Sequence, residues 1–169
     1  MEDGFELSAG GIAPFVCNIL RGVMKLGYVN AEFKEETIAR LGVFFQERDE
    51  VLAAYLFGSA AEGGPVVNDI DVLVVFKESD TNNILLLLSE VDVRLAEHLG
   101  LSSDRIDLIP FDLRLVKPRV LYEALKTGIL LKCSDEEALT DAIENLSRYF
   151  LENEGILRRQ EILQREIFA

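Results

Sequence analysis

Apolar residues along this chain fall into short blocks whose period alternates between helical and extended. Ile38, Leu41, Phe44 and Phe45 share one helical face, so the spacing predicts a helix over residues 35–48. Val51–Phe57 is a short apolar and aromatic run of strand character, ended by Gly58 and Ser59. Residues 60–68 contain Gly63, Gly64 and Pro65 and read as a short helical turn followed by a loop. Residues 69–76, rich in Val and Leu, form a second predicted strand. Asp80 or Thr81 offers a cap for a helix that runs to about His98. Its apolar stripe is Ile84, Leu87, Leu88, Val91 and Leu95, and Gly100 stops it. Residues 105–109 read as a third strand closed by Pro110. Pro118–Thr127 has Pro at its start and Gly128 just past its end, the asymmetry of a helix. Ile129–Cys133 reads as a further edge strand. Ser134 with Glu137 makes a capping-box pattern for a long C-terminal helix, which Gly155 is expected to divide.

Upstream, the first ten residues, with Gly4 and Gly10 and with Gly11 just after them, read as loose, and residues 12–26 read as a helix with Pro14 in its first turn and Gly27 at its end. The order of elements predicts an α/β (α+β) fold, a small mixed β-sheet with helices packed on it. The expected organisation is an N-terminal helical extension over 1–34, a core over 35–133 and a C-terminal helical segment over 134–169.

Composition narrows the setting. With 169 residues and 49% hydrophobic content, the chain is long enough to bury a real core. No apolar run, Ile84 to Leu88 and Val51–Phe57 included, reaches the roughly 18 residues that span a bilayer. The opening Met1-Glu2-Asp3-Gly4 is acidic and lacks the basic start of a signal peptide. The two cysteines, Cys17 and Cys133, show no metal or redox spacing. A cytoplasmic protein with reduced thiols, and no membrane partner, is the expectation. The net charge of −13 repels phosphate backbones, so no direct nucleic-acid partner is expected. One bound nucleotide remains compatible, because metal ions can bridge carboxylates to phosphates. The same charge fits a protein partner with a basic face and, equally, simple solubility.

The candidate chemistry sits between residues 56 and 109. Asp69 and Asp71 stand two apart in a predicted strand and therefore share a face. Like charges held together beside an apolar stretch are unfavourable unless a proton or a cation intervenes, and Mg²⁺ suits a few carboxylates plus substrate phosphates. The plain alternative is an exposed strand start. Gly58-Ser59, ten residues before Asp69, can bring backbone N–H groups and a hydroxyl to a phosphate, or can be merely a turn. Asp107 lies inside the apolar run Arg105-Ile106-Asp107-Leu108-Ile109. It is either the exposed side of an edge strand or a third carboxylate for the same metals.

The segment from Leu56-Phe57-Gly58-Ser59-Ala60-Ala61-Glu62-Gly63 to Asn68-Asp69-Ile70-Asp71-Val72-Leu73-Val74, with Asp107 on a later strand, resembles the DNA polymerase β-like nucleotidyltransferase superfamily. It is most similar to the minimal nucleotidyltransferase (MNT) branch. The resemblance implies that Gly58 and Ser59 hold the β- and γ-phosphates of ATP. It implies that Asp69, Asp71 and Asp107 are catalytic and bind two Mg²⁺ ions, with Asp107 helping to take the acceptor proton. It also implies a role as antitoxin to a HEPN-domain ribonuclease toxin, silenced by AMP transfer to a tyrosine. The rival expectations are AMP transfer to a small-molecule hydroxyl and neutralisation of the partner by binding alone. One departure bears on activity: where relatives often carry Arg shortly after the Gly-Ser, this chain carries Glu62.

His98, the only histidine, reads as a helix-end residue suited to the local dipole. Gly63-Gly64-Pro65 lacks the Gly-Lys-Ser/Thr of a Walker loop. Tyr55 reads as core, and the sequence leaves Tyr149 open between packing and interface. Arg158, Arg159 and Arg165 alternate with Glu161 and Glu166 beside an apolar stripe, which fits a solvated face and a partner-binding helix about equally.

Overall fold

The computed structural model describes residues 32–62 and 69–159. The elements in order are α1 (Glu32–Gln46), β1 (Val51–Phe57), the single turn α2 (Ser59–Glu62), β2 (Ile70–Phe76) and α3 (Thr81–Leu99). A 3₁₀ turn (Ser103–Arg105) then leads into β3 (Ile106–Pro110), α4 (Pro118–Thr127), β4 (Ile129–Cys133) and α5 (Glu136–Glu152). The strands form one sheet in the order β3-β2-β1-β4. β1 runs antiparallel to both β2 and β4, whereas β2 and β3 are parallel, so the sheet is mixed as expected.

Central strands β1 and β2 are buried almost throughout because helices cover both faces of the sheet. On one face Leu41, Phe44 and Phe45 of α1 and Ile84, Val91 and Leu95 of α3 pack on Ala54, Leu56, Val72 and Val74. On the other, Leu121 and Leu125 of α4 and Leu139, Ile143 and Leu146 of α5 pack on Tyr55, Leu73 and Val75. Tyr55 is a core residue, fully buried in this second cluster. No helix among the described residues is long and apolar enough to cross a membrane.

Local chemistry explains the ends of the helices. Asp80 caps α3 by accepting from the backbone N–H of Asn82 and Asn83, and Gly100 closes it at φ 67°. The expected capping box of α5 is not what forms. Asp135 is the cap, accepting from the Ala138 N–H at 3.0 Å, while the Ser134 hydroxyl donates to the Leu52 carbonyl at 3.2 Å. Ser134 is drawn away because it sits at the end of β4, where its backbone also bonds to Leu52. The expected division at Gly155 occurs instead at Asn153, which leaves helical geometry and donates from its side chain to the Tyr149 carbonyl at 2.9 Å. Residues 154–159 are helical again. Pro110 ends β3 from inside rather than closing it from outside; an edge strand tolerates a residue without an N–H donor. Cys133 is half-buried with a free thiol. The predicted helix over 12–26 lies outside the described residues, as do Cys17 and Gly63-Gly64-Pro65.

Candidate active site

Sheet register brings the separated aspartates together. Asp71 pairs with Phe57 of β1 on one side and with Asp107 of β3 on the other. Ile70 and Ile106, paired with each other, are buried on the face covered by α1 and α3. Strand alternation therefore turns Asp71 and Asp107 to the opposite face, the one that carries Leu73 and Val75 further along. The two carboxylates sit where that apolar face runs out, at the end of the sheet marked by Gly58. Asp71 is half-buried, whereas Asp69, just before β2, and Asp107 are exposed.

Electrostatics single out Asp71. Burial pushes its carboxyl above the ordinary range, and the negative charges of Asp107 and Asp69 push it further. A carboxylate placed so that its own charge is disfavoured is suited to a cation or to hydrogen-bond donors. Carboxylate oxygens are the donor type that a hard divalent ion such as Mg²⁺ takes. Among the described residues, no group of three or more His, Cys, Asp or Glu side chains is arranged so that it could hold a metal ion.

Gly58 is fixed by two independent demands. Its φ of +68° lies in the left-handed region, and a Cβ built on it would collide with the Asp71 carboxylate oxygen Oδ2. The chain turns here from β1 into α2, with Ala61 and Glu62 donating their N–H groups to the Gly58 carbonyl at 3.0 and 3.1 Å. Ser59, the first residue of α2, is exposed beside this turn, and Glu62 ends it, also exposed. The structure thus gathers Gly58, Asp71 and Asp107 into direct neighbourhood, with Ser59 one residue after Gly58 and Asp69 two residues before Asp71.

His98 stands apart from this cluster. Its Nε2 lies 3.0 Å from the Arg40 carbonyl, its own carbonyl accepts from Arg40 Nη2 at 2.6 Å, and its ring rests on Phe44. It fastens α1 to the end of α3. Tyr149 is half-buried, with its ring edge-on to Phe150. A groove of about 790 Å³ lined by Phe76, Ile84, Phe111, Arg114, Ala138 and Leu146 lies at the other end of the strands and shares no lining residue with the carboxylate cluster. One polar feature has no sequence signal: the Asp112–Arg114 pair, a local turn contact with no periodic signature.

The model of the polymerase beta nucleotidyltransferase family matches residues 40–137, a span that begins in α1 and ends at the start of α5. The chain belongs to this nucleotidyltransferase family. Solved structures agree on the fold. The chain is 21% identical to a toxin–antitoxin solved with AMP-PNP, at a TM-score of 0.53, with 80% of this chain and 98% of that one covered. It is 22% identical, at a TM-score of 0.50, to a chain of the tri-AMPylated HEPN toxin of Shewanella oneidensis in complex with MNT antitoxin, covering 82% of this chain and 98% of that one. It is 20% identical, again at a TM-score of 0.50, to a chain of the toxin–antitoxin MntA–HepT, covering 82% of this chain and 100% of that one. No curated protein matches the sequence of this nucleotidyltransferase.

Proposed function

We propose that this nucleotidyltransferase transfers AMP from ATP to a hydroxyl, that of a tyrosine on a partner HEPN ribonuclease toxin, and so acts as an antitoxin. The observation that carries the reading is the juxtaposition of Asp71 and Asp107 in register, backed by a glycine that leaves room only for the Asp71 carboxylate. The solved neighbours that contain AMP-PNP and an AMPylated toxin support the choice of nucleotide and acceptor.

Each residue then has a task. The left-handed turn at Gly58 and the exposed Ser59 hydroxyl hold the β- and γ-phosphates. Asp69, Asp71 and Asp107 would hold Mg²⁺, two ions in all, which supply charge stabilisation to the attacking and leaving oxygens. The acceptor oxygen forms a bond to the α-phosphorus, the bond from that phosphorus to pyrophosphate breaks, and Asp107 takes the acceptor proton. Positioning and charge stabilisation do most of the work. The acidic surface suits a basic partner.

A second reading is favoured by Glu62, which puts a negative charge one turn from the phosphate turn. In that reading the fold neutralises the toxin by binding alone. Incubation with α-labelled ATP and Mg²⁺, with and without the toxin, separates the two, with Asp69→Asn/Asp71→Asn as control. AMP on a toxin tyrosine, lost in the double variant, is the expected result. Unchanged neutralisation by the double variant, with no label transferred, overturns catalysis.

A further inference from the structure

The groove at the far end of the strands lies about 20 Å from the carboxylates, the length of the seven-residue β1. Its floor is Leu52, Val75 and Leu146, all buried. One wall is α5. Leu139, Ile143 and Leu146 of that helix bury themselves against the sheet, and Ala138 and Ala142 line the groove beside them, one turn apart. Two methyl groups cannot fill the space, so this wall is set back. The other wall is Phe111 and Leu113 in the β3–α4 connection. That connection is clasped: Arg114 Nη2 donates to the buried Asp112 carboxylate and to the Ser79 carbonyl, both at 2.7 Å. A groove whose walls are fixed before anything enters costs little ordering on binding.

Charge decides what such a groove takes. Arg114 is paired with Asp112. Among the other described lining residues, Glu78, Asp135 and Asp141 are negative and Lys77 is positive. Along the rim α5 adds Glu136, Glu137 and Glu144, all exposed, and no Lys or Arg occurs from Asp135 to Ser147. An occupant therefore gains from apolar side chains on the floor and from Lys or Arg against the rim. A second copy of this chain, with its net charge of −13, meets like charge here. Size points the same way. The carboxylate end of the sheet has to receive one hydroxyl, whereas a specific protein complex buries about 800 Å² on each partner. A protein acceptor must rest on further surface of this chain.

We propose that this groove is a docking site for the toxin: a segment of the partner with apolar side chains flanked by Lys or Arg seats between α5 and the Phe111–Arg114 connection, while the acceptor hydroxyl reaches the carboxylate end. This rests on the reading of the chain as an antitoxin to such a partner. Docking and transfer then occupy opposite ends of the sheet, so the toxin is held whether or not AMP is transferred to it.

The test is calorimetric binding of the purified HEPN toxin to the full-length chain and three variants, at low salt and at about 0.5 M NaCl, where charges are screened within a few ångströms. Ala142→Trp fills the groove and should weaken the toxin roughly tenfold or more at both salt levels. Asp141→Lys reverses the rim at an exposed position and should weaken it by roughly tenfold at low salt, with the difference shrinking at high salt. Glu36→Lys makes the same charge change on α1, which packs on the opposite face of the sheet, and should have far less effect. All three should bind Mg²⁺·AMP-PNP as wild type does. Overlapping peptides tiling the toxin identify the segment: those that bind should carry apolar residues flanked by Lys or Arg and should fail with Ala142→Trp. Wild-type toxin affinity at low salt in Asp141→Lys or in a folded Ala142→Trp overturns the proposal. So does equal weakening by Glu36→Lys and Asp141→Lys, which would be the field of the whole molecule, or self-association that Ala142→Trp abolishes while toxin binding persists. If the wild-type chain does not bind the toxin at all, the antitoxin reading itself fails and takes the docking site with it.

Discussion

At the scale of single residues, the site is organised around one steric relation. Gly58 and Asp71 belong to different segments, yet each constrains the other: the carboxylate occupies the space that a Cβ on residue 58 would need. Gly58→Ala therefore carries two penalties, a left-handed backbone that L side chains resist and the displacement of Asp71. We expect a stability loss of about 1–3 kcal/mol by denaturant titration. We also expect transfer activity to fall much further than that loss explains, because Asp71 must move for the variant to fold. Full activity in a folded Gly58→Ala protein would show that the position of Asp71 does not matter. The sequence exposes half of this relation. Gly58-Ser59 and Asp69-x-Asp71 are visible as motifs, and the glycine reads as a turn residue. The contact between them depends on the β1–β2 register, which spacing alone does not specify.

Elements show the same division between what is written locally and what is settled by assembly. Strands and helices were legible because their periodicity is strong: β1 and β2 by continuous apolar runs, α3 by its stripe between Asp80 and Gly100. Caps were legible only where nothing competed. At α5 the local pattern favoured Ser134, but pairing with β1 took that residue and left Asp135 to cap. The turn after β3 is another case. The buried carboxylate of Asp112 accepts from Arg114 at its backbone N–H (2.8 Å), Nε (3.0 Å) and Nη2 (2.7 Å), and Nη2 also donates to the Ser79 carbonyl at 2.7 Å. This clasp ties the β3–α4 connection to the segment leading into α3. Bonding to Arg114 holds the Asp112 carboxyl below its usual value. A carboxyl lower in the folded state than in the unfolded one contributes stability that is complete above about pH 4 and is lost as pH falls through the folded value. Asp112→Asn should cost about 1–2 kcal/mol at pH 7, since a charged acceptor of several hydrogen bonds becomes a neutral one. Its stability difference from wild type should shrink as pH drops below about 4, read from Tm across an acid series. A constant difference over that range would show that the ionised carboxylate is not what holds the turn.

Across the whole molecule, fold and charge pull against each other. A net charge of −13 on 169 residues repels itself, and the proposed site concentrates part of that charge at one end of the sheet. The overall charge was plain from composition. What composition could not say is that Asp69, Asp71 and Asp107 converge, because that follows from the parallel pairing of β2 with β3 across the whole of α3. The convergence separates general screening from specific binding. NaCl should raise Tm modestly by screening the net charge, in wild type and in Asp69→Asn/Asp71→Asn alike, with a smaller rise in the variant because two negative charges are gone. Mg²⁺ at matched ionic strength should add a further, saturable rise in wild type, because an ion that binds only the folded state stabilises it by mass action. At a concentration about 100 times its dissociation constant, that increment is about 2.7 kcal/mol. In the double variant the increment should vanish while the NaCl response remains. Equal effects of Mg²⁺ on both proteins would mean that the ion acts on the surface as a whole, and that the three carboxylates, though adjacent, do not form the ion-binding end of the sheet.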